Sequence, residues 1–201
     1  MNGAQKLTEA FEQLKSALPL AQYPLPLDGV DTLRGLATSL TQQVRDYLLP
    51  RASKLDAPLL AVVGGSTGAG KSTLVNSLLR AHVTRPGVLR PTTKSPVLIC
   101  HPEDEEWFRS ERILPDLVRT DAQLHDSRAL QIVPFEDLPP GLALLDAPDI
   151  DSIDDDNRTL ARQLLLAADL WLFVTSAARY ADAVPWDYLR QAAERNTVVS
   201  V

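Results

Sequence analysis

Residues 59–73 read Leu-Leu-Ala-Val-Val-Gly-Gly-Ser-Thr-Gly-Ala-Gly-Lys-Ser-Thr, and no other stretch narrows the fold as far. A continuous apolar run feeds Gly-x-x-x-x-Gly-Lys-Ser, from Gly65 to Ser72, and residues 72–80 suit a helix. Strand, glycine-rich loop and helix in that order are the setting of a phosphate-binding loop. Glycines 65, 68 and 70 let the backbone wrap a polyphosphate with its N–H groups turned inward, where a Cβ would obstruct the approach. The helix that follows offers unpaired amides and the positive end of its dipole to the same anion. The expected contacts are Gly65, Ser66, Thr67, Gly68, Ala69, Gly70, Lys71, Ser72 and Thr73, with Lys71 reaching the β- and γ-phosphates and the Ser72 hydroxyl ligating Mg²⁺. A plain Gly/Ser turn would not need every fixed position of the motif. The ligand expected from this stretch is a nucleotide.

The rest of the composition limits the alternatives. The chain has 201 residues, enough for one domain or one domain with an appendage, and 45% are apolar, enough for a packed core. Twenty basic and 26 acidic residues leave a net charge of −6, which argues against a nucleic-acid-binding face and gives no polybasic patch for anionic lipid. The single cysteine, Cys100, excludes an internal disulfide framework and reads as a small buried hydrophobe. No apolar stretch approaches membrane-spanning length and the N-terminus has no signal-peptide pattern, so the expected location is cytoplasmic.

Two amphipathic helical patterns precede the loop, and we set a boundary between an N-terminal helical segment, 1–56, and a P-loop domain, 57–201. Leu7, Phe11, Leu14 and Leu18 share one helix face, and Pro19, Pro24 and Pro26 end that helix. Asp28 is placed to cap a second helix whose apolar stripe runs Leu33, Leu36, Leu40, Val44 and Tyr47 or Leu48, ending near Pro50. These stripes either pack on the following domain or join a helical bundle completed elsewhere. From Leu59 onward strand and helix patterns alternate, predicting an α/β fold of three layers with a mostly parallel central sheet. Strands are expected at 96–100, 129–133, 142–145, 170–175 and 197–201. Helices are expected at 103–112, 157–168 and 184–195, with 101–126 otherwise irregular.

A P-loop leaves ATPase, kinase and GTPase open. The apolar run 142–146 ends in Asp146, and a strand-terminal carboxylate beside the P-loop strand can hold Mg²⁺ through a water. The segment Asp-Ala-Pro-Asp-Ile-Asp-Ser, 146–152, resembles the Asp-x-Pro-Gly opening of switch II in translation-factor-class GTPases. Residues 70–78, Gly-Lys-Ser-Thr-Leu-Val-Asn-Ser-Leu, resemble their P-loop helix. Residues 90–98, Arg-Pro-Thr-Thr-Lys-Ser-Pro-Val-Leu, resemble switch I of dynamin-like and Era-like GTPases. The resemblance covers roughly 58–201, and the acidic insert between the switches and the preceding helices look dynamin-like. It implies a Mg²⁺-dependent GTP-binding domain that hydrolyses GTP. Lys71 and Thr93 would be the catalytic residues, and Ser72, Thr93 and Asp146 would serve the metal, with Thr92 the fallback for Thr93. The partners it implies are GTP and GDP, with self-association through the G domain or the N-terminal helices. Nucleic acid is not indicated, and any membrane association is left to the full-length protein.

Three departures qualify that match. Asp149 stands where relatives carry a glycine whose N–H meets the γ-phosphate, bringing a Cβ and a negative charge toward an anion. Either the loop swings outward or Asp149 sits on the metal side, and slow intrinsic hydrolysis is expected. Thr67 stands where dynamins usually have a water-orienting Gln. The Asn/Thr-Lys-x-Asp motif that reads guanine has not arrived by Val201, so the sequence reads as a fragment of a longer protein, and guanine selectivity rests on resemblance. The alternatives are a non-catalytic nucleotide-dependent assembly module and an ATP-specific P-loop enzyme. The acidic run at 149, 151 and 154–156 reads first as a solvated loop capping the helix from Asn157. Arg90 reads as a loop arginine before an internal finger. His82, His101 and His125 lack metal-like spacing, and Trp186 and Tyr188 read as packing residues.

Overall fold

A computed structural model describes residues 3–21, 23–54, 57–84, 95–122, 124, 126, 128–152, 155–177, 183–194 and 198–201. The chain divides into two compact units, Met1–Ala57 and Pro58–Val201.

In the first unit, helix α1 (Gly3–Ala17) ends in a 3₁₀ turn at Leu18–Leu20, where Pro19 blocks its continuation. Helix α2 (Val30–Gln43) starts from Gly29, whose φ of 82° makes the turn, with no side-chain cap; the expected Asp28 cap is not formed. Helical backbone then runs past the predicted stop through a π segment, Val44–Leu48, into α3 (Leu49–Ser53). Pro50 explains the π segment: proline has no N–H and its ring crowds the carbonyl one turn back, and a widened turn accommodates both. Helix α1 packs on α3 and the π segment. Val44 is fully buried, whereas Leu7, Leu14, Leu33, Leu36 and Leu40 are exposed.

Among the described residues the second unit is built on a seven-stranded sheet. Its strands are β1 (Leu59–Gly65), β2 (Val97–Cys100), β3 (Val118–Thr120), β4 (Ala129–Pro134), β5 (Leu142–Asp146), β6 (Leu170–Val174) and β7 (Val198–Ser200), in the order β3-β4-β2-β5-β1-β6-β7. All neighbours are parallel except β2 and β5. Central parallel strands are covered on both faces and so carry unbroken apolar sequence, as β1 does, buried from Leu60 onward. Helix α4 (Lys71–Leu79) covers the face of Ala61 and Val63 through Val75 and Leu79, joined by Val97, Ile99 and Leu144. Helix α6 (Asp155–Ala167) covers the other face, where Leu165 lies over Gly64 and accepts a 2.7 Å hydrogen bond from the Trp171 indole at its carbonyl.

Between β2 and β3 the sequence reading is partly corrected. The helix expected at 103–112 is a 3₁₀ turn, Pro102–Asp104, followed by the short α5 (Glu105–Arg109), and β3 was not foreseen. Arg119, on that three-residue strand, donates to the carbonyls of Phe108, Ser110, Ile113, Leu114 and Leu117. A guanidinium thus replaces helical hydrogen bonds as the organiser of the segment. The last helix, α7 (Ala183–Glu194), buries Tyr188 as expected, and Trp186 is 41% exposed.

Candidate functional site

The topology brings the start of the glycine-rich loop and the Asp146 carboxylate to one end of the sheet. Gly65 ends β1 between two parallel neighbours, in register with Val174 of β6, while Val63 pairs with Asp146 at the end of β5. Ligands of open α/β sheets gather at the carboxyl ends of such strands. Gly65 has φ +152°, and a Cβ built on it would lie 2.0 Å from the Val174 carbonyl oxygen, so only glycine fits. Gly70, at φ +96°, turns the loop into α4.

Lys71 folds back under the loop instead of extending to solvent and is 6% exposed. Its ammonium donates to the carbonyls of Gly65 and Ser66, each at 3.0 Å, and pairs with the Asp149 carboxylate. A buried ammonium is tolerated only with a counter-charge and satisfied donors, and Lys71 has both. Asp151 reaches the same loop: its Oδ1 accepts from the Thr67 backbone N–H at 2.7 Å and from the Thr67 hydroxyl at 2.8 Å. The acidic run is therefore not simply a solvated loop. Ile150, fully buried, anchors it, with its N–H donating to the Gly65 carbonyl at 3.3 Å, and Ala147 donates to Val63 at 3.1 Å. With Ile150 turned into the core, the carboxylates on either side of it meet the loop. Asp155 and Asp156 do remain exposed, in the first turn of α6, where acidic groups suit the helix dipole.

Beside the lysine, the Ser72 hydroxyl donates to Asp146 Oδ2 at 2.6 Å. Burial pushes the Asp146 carboxyl above the ordinary carboxylate range, opposed by the Ser72 hydrogen bond and the Lys71 charge. Sequence reasoning missed the support behind this pair. Asn76, buried on α4, accepts from the N–H groups of Val83 and Thr84, each at 2.9 Å, and donates to the Thr84 carbonyl at 2.7 Å. The Thr84 hydroxyl in turn donates to the Ser72 carbonyl at 3.3 Å. The only signal was a polar residue on the buried side of an amphipathic helix, which needs a partner nearby.

Arg90, Thr92 and Thr93 lie outside the described residues, as does His125. The flanks of 85–94 are described: Thr84 sits against Ser72, and Val97 pairs with Asp146. His101 accepts from the Glu103 N–H at 3.2 Å and caps the 3₁₀ turn, and His82 is exposed. Among the described residues no group of three or more His, Cys, Asp or Glu converges on a metal position. What is present is a hydroxyl and a carboxylate in contact, oxygen donors of the kind that hold Mg²⁺ together with substrate phosphates and water.

The family model of the dynamin family matches residues 60–200, most of the chain. The chain belongs to the dynamin family. It is 30% identical over 144 residues to "Probable transmembrane GTPase FZO-like, chloroplastic" of Arabidopsis thaliana, a match spanning 71% of this chain and 14% of that protein. Among solved structures, one described as an oligomerised bacterial dynamin pair that provides a mechanism for long-range sensing and tethering of membranes aligns over 96% of this chain. The alignment takes in 32% of that protein, with a TM-score of 0.50 and 12% identity, a likeness of fold. This dynamin-family chain therefore spans a minor part of the relatives it matches. No described helix is long and apolar enough to cross a membrane.

Proposed function

We propose that Pro58–Val201 binds GTP with Mg²⁺ in the loop from Gly65 to Thr73 and hydrolyses its β–γ phosphoanhydride. One observation carries the reading: the Lys71 ammonium and the Ser72–Asp146 pair, 2.6 Å between oxygens, converge at the mouth of the β1–α4 loop. Ser66 adds a buried hydroxyl with no hydrogen-bond partner among the described residues. Membership of the dynamin family supports guanine as the base.

In this reading the loop amides and Lys71 hold the phosphates, so that negative charge developing on the transferred group meets a fixed cation. Mg²⁺, when bound, neutralises charge on the phosphate oxygens. Ser72 and Asp146 would hold it, and Thr93 is assigned a further metal contact on resemblance alone. The assignment of 85–94 as a segment that responds to the site rests on its resemblance to switch I. Segment 149–151 would respond likewise, giving a two-state switch that partners read. Exposed leucines at 33, 36 and 40 support self-association through the N-terminal helices.

A second reading, nucleotide-dependent assembly without turnover, is favoured by one contact, the Asp149 carboxylate on Lys71. Single-turnover phosphate release with radiolabelled GTP separates the two, and competition by excess ATP tests the base. Release of phosphate from GTP, undiminished by ATP, is expected. Binding without release supports the assembly module, and displacement of GTP by excess ATP refutes the guanine assignment.

A further inference from the structure

We propose that Asp149 and Asp151 form an internal anion that occupies the phosphate loop in competition with nucleotide. The inference rests on the assignment of that loop as the phosphate site. An ammonium has three N–H donors, and those of Lys71 go to the Gly65 carbonyl, the Ser66 carbonyl and Asp149. A phosphate oxygen can reach this cation only by replacing the carboxylate, since the two carbonyls belong to the loop itself. The Thr67 amide and hydroxyl are likewise both committed to one oxygen of Asp151. Carboxylate and phosphate oxygens seek the same partners: charge-assisted acceptors for an ammonium and for backbone N–H groups at a helix-initiating loop.

The arrangement is held from both sides. Ile150 is fully buried and bonded to the Gly65 carbonyl, so the two carboxylates flanking it are delivered to the loop together. Expelling them couples ligand arrival to movement of 149–151, which makes that segment report occupancy of the loop. It also taxes affinity, because a ligand sees only the fraction of molecules whose loop is open. The Asp149 carboxylate keeps the buried Lys71 compensated until the ligand takes over that role.

The test uses Asp149→Asn, Asp151→Asn and the double variant of the whole chain, with inorganic pyrophosphate and GDP as probes in calorimetry and thermal-shift assays. Pyrophosphate carries no base, so its response does not depend on whether the protein takes guanine, and the two proposals fail separately. Without ligand the variants should melt below wild type, Asp149→Asn more than Asp151→Asn, because Lys71 loses its counter-charge. At saturating pyrophosphate the melting points should converge. Dissociation constants for both probes should fall roughly tenfold in the double variant, the expected gain when a ten-to-one closed population is released. Asp151→Asn, which leaves the Lys71 pair intact, is the safeguard against misfolding and should give a smaller gain in the same direction. Equal or weaker pyrophosphate binding by the folded variants would overturn the proposal. Tighter pyrophosphate binding with no GDP binding would leave it standing and remove the guanine assignment.

Discussion

Two adjacent glycines should respond very unequally to the same added methyl group. At Gly65 a Cβ would lie 2.0 Å from the Val174 carbonyl oxygen and 3.0 Å from its carbonyl carbon. These are backbone atoms of the paired strand, so no rotamer relieves the clash. The φ of +152° adds conformational strain for any L side chain. Overpacking costs about 1–3 kcal/mol and a disfavoured backbone region about 1–3, together roughly 2–6 kcal/mol. For a unit of this size that lowers the melting point by about 5–20 °C. At Gly64 the same Cβ meets only Leu165 Cδ2 at 3.3 Å, the tip of a side chain that can yield, so Gly64→Ala should cost under about 1 kcal/mol. Calorimetric melts of Gly64→Ala and Gly65→Ala, with circular dichroism to check folding, decide the matter. Melting points within about 2 °C of each other would refute the steric argument and, with it, the close β1–β6 approach that shapes the start of the loop.

Other parts of the account make separate predictions. Arg119→Leu leaves five carbonyls without their shared donor and should destabilise the Pro58–Val201 unit by roughly 3–5 kcal/mol in urea melts, with Arg119→Lys recovering only part; a loss under about 1 kcal/mol would contradict it. Ser72→Asn should weaken nucleotide binding more with Mg²⁺ present than with EDTA, and equal loss in both conditions would argue against a metal role. The Cys100 thiol is pushed up to about 12, first by burial and then by Glu105 and Asp104. At pH 8 only about one molecule in 10,000 then carries the thiolate, so Ellman's reagent should label it after unfolding and not before. Prompt labelling of the native protein would show that β2 is not buried as described.

The sheet and the phosphate loop were legible because their signals are local. An unbroken apolar run implies a strand covered on both faces, and glycines at fixed offsets imply a backbone bent around an anion. Segment 146–152 was legible as a motif but not as geometry. Nothing local says that Ile150 enters the core, and only that burial turns Asp149 and Asp151 onto Lys71 and Thr67. The Asn76–Thr84 lock and the Arg119 hub were hidden for a related reason: each satisfies backbone groups outside the side chain's own helix or strand. Pro50 misled because a proline was read as a stop, whereas a π turn lets the helix pass. The threonines assigned to switch I lie outside the described residues, so their role rests on the motif.

The central claim is that a nucleotide polyphosphate is held where β1 becomes α4, with Lys71 as its cation. Isothermal titration calorimetry of GTP with Mg²⁺ into wild type and Lys71→Ala tests it most directly. Saturable binding at one site per wild-type chain, lost in a Lys71→Ala protein that still folds, is the predicted result. No heat with GTP or ATP in well-folded wild type, or equal binding by Lys71→Ala, would contradict it.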